Sequence, residues 1–435
     1  MKSINEILEW IKELNQSTKV QIEKTDLRDT DFWFYDKEVG TIHNRDDSFF
    51  SIVGIQGKVN DEYIEQPILL QTEIGYLGIL GKEYNGEIYY LMQAKIEPGN
   101  INCVQISPTI QATKSNFTQK HGGKKPAYLD IFLNAKNHNI IADQIQSEQS
   151  SRFYGKRNRN MILLIEEDIK VENNFCWMTL HQIKELMQYK NLVNMDTRTV
   201  LSCIPYMDER LKLNIKNQEL YKSMLSNDYK SEIINLYHDI NNYKMFSEDY
   251  LEIVRLDKLK NWDVSSGGLK CKQAYPYEVI FCDIEIEGRE VRKWIQPLFK
   301  ANDKALFVLM YSIINGEMKF IVKIQPEIGC FDKIEIGPTI QKERECFEIN
   351  DSIERLFYKN IKEKKSIHFD TILSEEGGRF YHEENRNIIM EVDCKELNEI
   401  PNDYHLVSYA TLAQLNIINN CLNIQLRNLM SALEV

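Results

Sequence analysis

The sequence predicts an α+β protein of two tandem modules produced by internal duplication, and three observations carry that expectation. A fourteen-residue run at 147–160 returns at 374–387 with eight identical positions, an offset of 227 residues (374 − 147). Other segments return in the same order at nearly the same offset: Leu27…Trp33 as Leu256…Trp262, Gln66-Pro67 as Gln296-Pro297, and Pro108-Thr-Ile-Gln111 as Pro338-Thr-Ile-Gln341. Two β-rich runs flank Asn85-Gly86, and two more flank Asn315-Gly316. A period near 230 residues is too long for a solenoid and suits a whole domain.

Taken in order, the elements follow from local pattern. The chain opens on an amphipathic helix around residues 7–14, with a weaker counterpart at 233–240. Residues 74–82 and 87–95, and again 305–313 and 317–324, form hairpins, because Asn-Gly accepts the positive φ of a tight two-residue turn. Residues 179–202 and 411–433 each read as a closing helix, with Leu180, Ile183, Leu186 and Leu412, Leu415, Ile418 at helical spacing. The polar stretch 209–230 reads as a helical connection, dividing the modules into 1–215 and 216–435.

Composition narrows the function classes. The 435 residues include 53 Lys+Arg and 65 Asp+Glu, for a net charge of −12, which argues against a nucleic-acid partner. Hydrophobic residues make up 43%, enough for a sizeable core. The longest apolar run, near 305–314, is too short to span a bilayer and reads as a buried strand, so no membrane association is expected. Nine scattered cysteines with no C-x-x-C pair indicate neither a disulfide framework nor a zinc site and suit a reducing cytoplasm. Zinc-hydrolase, nucleophile-elbow, dinucleotide and Walker motifs are all missing.

The repeated segments also carry a likeness. Gln66…Gly75, Met92-Gln-Ala-Lys-Ile-Glu-Pro-Gly-Asn100, Ser107-Pro-Thr…Phe117 with His121-Gly-Gly123, and the two Ser-Glu-x-x-x-Arg-Phe-Tyr runs together resemble the NDP-hexose 2,3-dehydratases. The resemblance covers essentially the whole chain. It implies a homodimer whose subunit holds two Nudix-like α/β/α modules, each with a mixed sheet and flanking helices. It further implies a lyase, working without metal or redox cofactor, that removes water across C2 and C3 of a nucleoside-diphospho-4-keto-6-deoxyglucose, usually the dTDP form. A downstream NAD(P)H-dependent 3-ketoreductase would take up the 3,4-diketo product. Neither module contains the carboxylate box that holds the metal of Nudix hydrolases, so the fold does not carry that activity with it. A nucleotide-sugar-binding protein without catalysis is the rival reading, and a diphosphatase a weaker one.

The implied reaction needs a base for the C3 proton, an acid for the C2 hydroxyl and cationic donors for the diphosphate. Thr113, Lys114, Ser115, Asn116 and Phe117 gather a cation, hydroxyls, an amide and a ring, a grip for nucleotide; the second copy keeps a cation there in Arg344. Trp33 and Trp262 are either core anchors or base-stacking platforms. His121 begins a glycine turn that is either a substrate loop or a surface turn. The paired runs supply substrate-binding candidates Ser147, Arg152 and Tyr154 in one copy and Ser374, Gly378, Arg379, Asn385 and Arg386 in the other. They diverge in one direction, Gly155-Lys-Arg against His382-Glu-Glu, which places the expected chemistry in the second module: Tyr381 or His382 as proton carrier, Glu376 or Glu383 as partner. For the residues shared by both runs, a common structural corner is an equal alternative.

Overall fold

The structure, a computed structural model, describes residues 2–117, 125–288, 291–344, 348–397 and 399–434, with Ser115 and Asn116 lacking described side chains. His121 therefore lies outside the described residues.

Four sheets organise the described chain, in two repeat-related pairs. Each half contributes a seven-stranded mixed sheet built on its hairpin. Gly75–Tyr84 and Glu87–Ile96 close on Asn85-Gly86 at φ 51° and 85°, and Ala305–Ile314 and Glu317–Pro326 close on Asn315-Gly316 at φ 53° and 74°. These are the positive values that a two-residue hairpin turn requires. The first hairpin strand then pairs in parallel with the strand after the Ser-Glu run, Arg157–Ile165 on Gly75–Tyr84 and Glu384–Glu391 on Ala305–Ile314. Both antiparallel partners of those strands carry a register shift at equivalent places, 140/142 and 367/369.

The smaller sheets exchange strands. Val20–Thr25, from the first half, adds to Tyr277–Ile286 of the second, while Tyr250–Val254, from the second, adds to Ser51–Val59 of the first. The cores are shared as well. Ile7, Tyr90, Met178 and Val200 belong to one apolar cluster with Phe320, Tyr409, Leu412 and Leu429.

The opening helix forms at Ile4–Ser17 behind a Ser3/Glu6 capping box, and its counterpart is Tyr229–Phe246. The closing helices depart from the expected single spans. Leu180–Leu186 stops, Asn191 turns at φ 56°, and a new helix, Met195–Leu201, starts on the Asn194 cap. The second copy repeats the break with Tyr409–Ile417, Asn420 at φ 57° and Ile424–Ser431 on the Asn423 cap. The apolar spacing continues through the break because Val193 and Leu422 are held there as β-bridges to Ile106 and Ile336. The connection is also less continuous than expected: a short turn at Glu209–Leu211 and the helix Gln218–Met224 are separated around Lys212, at φ 53°. No helix of the described residues is long and apolar enough to cross a membrane.

Candidate functional site

The two Ser-Glu runs meet at the seam between the halves, and each docks against a glycine of the other. Gly99 N donates to Gly377 O at 2.6 Å while His382 N donates to Gly99 O at 2.9 Å. In the mirrored contact Gly329 N donates to Ser150 O at 2.8 Å and Gly155 N to Gly329 O at 2.7 Å. A β-carbon on Gly99 would sit 1.5 Å from Phe380 O, and on Gly329 1.8 Å from Phe153 O, so only glycine permits this approach. Two buried arginines complete the seam: Arg198 donates to Ser374 O, and Arg427 to Ser147 O.

This docking carries side chains across the seam and creates two clusters. In the first, Arg379 stacks over Phe50 at 4.2 Å and reaches Gln71. Glu376 accepts from Gly378 N at 2.7 Å, and Lys156 donates to Glu73 O at 2.5 Å. Beside them lie Glu148, Asp196 and the pair Lys95–Glu97 at 3.1 Å. Gln111 donates to Glu97 at 3.0 Å and accepts from Asn194 at 3.0 Å. Burial, then the charges of Glu97 and Asp196, push the Glu376 carboxyl up to about 8, against the pull of Arg379. Burial and Glu376 raise Glu148, and burial lowers the Lys156 ammonium to about 8 although Glu148 and Glu73 oppose the shift. A carboxyl and an amine of ordinarily distant pKa thus meet in one buried site.

In the second cluster Arg152, 2% exposed, lies over Tyr277 at 4.1 Å and donates to Glu343 at 2.7 Å, with Glu383 at 3.9 Å. Burial pushes Glu383 up to about 8. A cleft of about 870 Å³ adjoins it, lined by Lys270, Tyr275, Glu278, Lys300, Glu343 and Arg344. The clusters are related by the repeat but not equal. Lys95, Asp196 and Glu376 of the first correspond to Gln325, Gln425 and Gln149 of the second, so ionisable groups face amides at three positions.

The four residues expected to share the chemistry are divided among three places. Glu376 enters the first cluster and Glu383 the second. Tyr381 and His382 stack on each other, centroids 4.1 Å apart, and Tyr381 packs on the sheet formed by Tyr277–Ile286 and Lys293–Ala301. Glu376 is therefore encoded in the second copy but placed in the first copy's cluster, which linear order does not reveal. Burial lowers His382 and raises Tyr381.

Other candidates separate similarly. Trp33 and Trp262, 3% and 4% exposed, are anchors of one shared apolar cluster, the core alternative. Ser147 Oγ donates to Glu335, Ser374 Oγ accepts from Gln105, and Asn385 donates to Glu375, all within the seam. Tyr154 packs on Ile55 and Ile68, and Gly378 accepts from Gln296. Arg386 pairs with Asp370 at 2.7 Å across its sheet, as Arg159 does with Asp143. Thr113 and exposed Lys114 follow Gln111 at the start of the short helix Lys114–Phe117, and Phe117 packs edge-on to Tyr76. Residues missed by sequence reasoning include Lys95, Glu97, Glu148 and Asp196; for Lys95 and Asp196 the amides at the repeat-related positions, Gln325 and Gln425, were the available signal, whereas Glu97 and Glu148 have glutamates there, Glu327 and Glu375, and carried no such difference.

Comparison with known proteins concerns the chain as a whole. A family model described as NDP-hexose 2,3-dehydratase matches residues 4–204 and again 235–433. A Saccharopolyspora spinosa protein named dTDP-4-dehydro-6-deoxy-alpha-D-glucopyranose 2,3-dehydratase is 34% identical over 92% of this chain and 85% of its own. Proteins of the same name from Streptomyces violaceoruber and Amycolatopsis orientalis are 33% and 31% identical, each over 98% of this chain, covering 96% and 89% of their own.

Proposed function

The chain belongs to the NDP-hexose 2,3-dehydratase family, and we propose that it removes water across C2 and C3 of dTDP-4-keto-6-deoxyglucose, with the chemistry in the first cluster. The observation that carries this placement is the asymmetry just described: the first cluster holds Lys156, Asp196 and Glu376 together, where the second has amides opposite two of them. Glu376, as carboxylate, takes the C3 proton made acidic by the C4 ketone, while Arg379 stabilises the negative charge that develops on the ketone oxygen. Lys156 gives a proton to the departing C2 hydroxyl, which leaves as water. The C3 enol then loses its hydroxyl proton and gains one at C2, yielding the 3,4-diketo-2,6-dideoxy sugar. Lys114, exposed three residues beyond Gln111, serves the diphosphate.

The same reading takes the subunit as two Nudix-like modules, divided near residues 215 and 216 and paired as a homodimer. It places the protein in the cytoplasm, feeding an NAD(P)H-dependent ketoreductase in a deoxysugar pathway. The test is incubation with dTDP-4-keto-6-deoxyglucose in D2O, without added metal, followed by NMR. Loss of the C2 hydroxyl with deuterium at C2 is expected. An unchanged sugar overturns the activity in favour of a binding role, and release of nucleoside monophosphate would indicate hydrolysis. E376Q should lower kcat by about 10²-fold or more; if E383Q does so instead, the second cluster is the site.

A further inference from the structure

Asp196 has no task in the steps above, yet its placement is unusual. It is 2% exposed in the first turn of Met195–Leu201, and its Oδ1 has no hydrogen-bond partner among the described residues. Among its neighbours in the cluster, Glu97 holds Lys95 and Gln111 and Glu376 accepts from Gly378 N, while Glu148 accepts from Asn158 with one oxygen and its Oε1, too, has no hydrogen-bond partner among the described residues. The charged groups that face it come from every side. Lys95 and Glu97 lie on and just beyond the hairpin strand Glu87–Ile96, Glu148 and Lys156 on the first Ser-Glu run, Glu376 on the second, and Arg198 on its own helix. Four carboxyls, of Glu97, Glu148, Asp196 and Glu376, meet Lys95, Lys156, Arg198 and Arg379 in a buried space. Burial and the mutual repulsion of the carboxyls oppose full ionisation there, and Asp196 Oδ1 has no donor to hold its charge, so the group retains a proton beyond those of the lysines.

We propose that Asp196 is a positioning residue of the dehydration site, sharing that retained proton with Glu148 and Glu376 and so setting the basicity of Glu376. The inference rests on the first cluster being the reaction site. The asymmetry between the copies is in keeping with it: the repeat-related position is Gln425, in the copy whose cluster has Gln149 in place of Glu376. An uncharged amide suffices where no base has to be tuned.

Removing the Asp196 charge should make Glu376 easier to ionise, because one repelling carboxyl is gone. D196N should therefore move the acidic limb of the kcat profile to lower pH by about half a unit or more, while KM changes less than about twofold. D196E should return the limb toward its original place. D196Q, which installs the residue that the second copy folds with, is the substitute if D196N does not fold, as judged by circular dichroism. Q425E is the mirrored control and should leave the profile unmoved. An unmoved limb in D196N, or D196Q in its place, with Q425E also silent overturns the inference. Movement in both variants overturns it too, since the coupling would not be particular to the first cluster. Movement in Q425E alone shifts the site itself to the second cluster, and a wild-type protein inactive on the dTDP-sugar removes the underlying reading.

Discussion

At Gly99 the two halves come within hydrogen-bond distance through backbone alone, and a single methyl group tests the contact. G99A would force its β-carbon against Phe380 O, and backbone cannot yield as a flexible side chain would. It should cost about 2 kcal/mol or more, among the larger effects for one substitution. Because Gly377, Glu376 and Arg379 are held by this docking, activity should fall as well; chemical denaturation and the NMR assay measure the two losses. The pH dependence belongs at this scale too. Glu376, Glu383 and Glu335 are each pushed up to about 8 by burial, so between the ordinary carboxyl range and pH 8 the folded chain holds protons that the unfolded chain has released. Stability is then greatest at the acid side of that window and is lost as pH rises toward 8. Lys156, lowered to about 8, acts oppositely, and its penalty is relieved only between about 8 and 10.5. Thermal midpoints should fall from about pH 5 to 8, and E376Q should flatten the slope; a midpoint rising through this window would contradict the burial of these carboxyls.

Among the elements, the helix Met195–Leu201 links stability to the site. Asn194 caps it by accepting from Thr197 N at 2.8 Å, and its amide donates to Ser107 Oγ and Gln111 Oε1. Asn423 does the equivalent in the second copy, accepting from Leu426 N and donating to Gln341 and Glu327. N194A and N423A should each cost about 1 to 3 kcal/mol, from the lost cap and the polar groups left unpaired. Only N194A should also lower kcat, because Gln111 then no longer holds Glu97 in place; equal loss of activity in both would count against the first cluster. These caps also mark where the sequence was legible. The hairpins were readable because Asn-Gly dictates the turn locally, and the closing helices were misjudged because apolar spacing runs on through Asn191 and Asn420, where a β-bridge, a distant contact, interrupts them. The site was half legible for the same reason. The Ser-Glu runs stood out as residues, but which cluster Glu376 enters depends on a crossing between halves.

For the whole molecule, that crossing predicts how the chain unfolds. Val20–Thr25 lies on the second half's sheet over six residue pairs, Val20↔Ile286 to Thr25↔Phe281, and Tyr250–Val254 on the first half's over five. Neither half can lose its fold without stripping a strand from the other. Arg198 and Arg427 add the same reciprocity in charge: each is fully buried, and each donates to a carbonyl of the opposite Ser-Glu run. If either half unfolded, the other would keep a buried guanidinium without its acceptor, and the cost of an unpaired buried charge is several kcal/mol. Two modules of this size joined by a simple linker would melt separately; modules joined by exchanged strands, a shared core and crossed arginines should melt together. Calorimetry should give one transition whose calorimetric and van't Hoff enthalpies agree. Residues 1–215 and 216–435 produced as separate chains should be unstable alone and recover dehydratase activity when produced together, since each supplies the strand that the other lacks. Two resolved transitions, or a stable isolated half, would mean that the exchanged strands contribute little to what holds the halves as one unit.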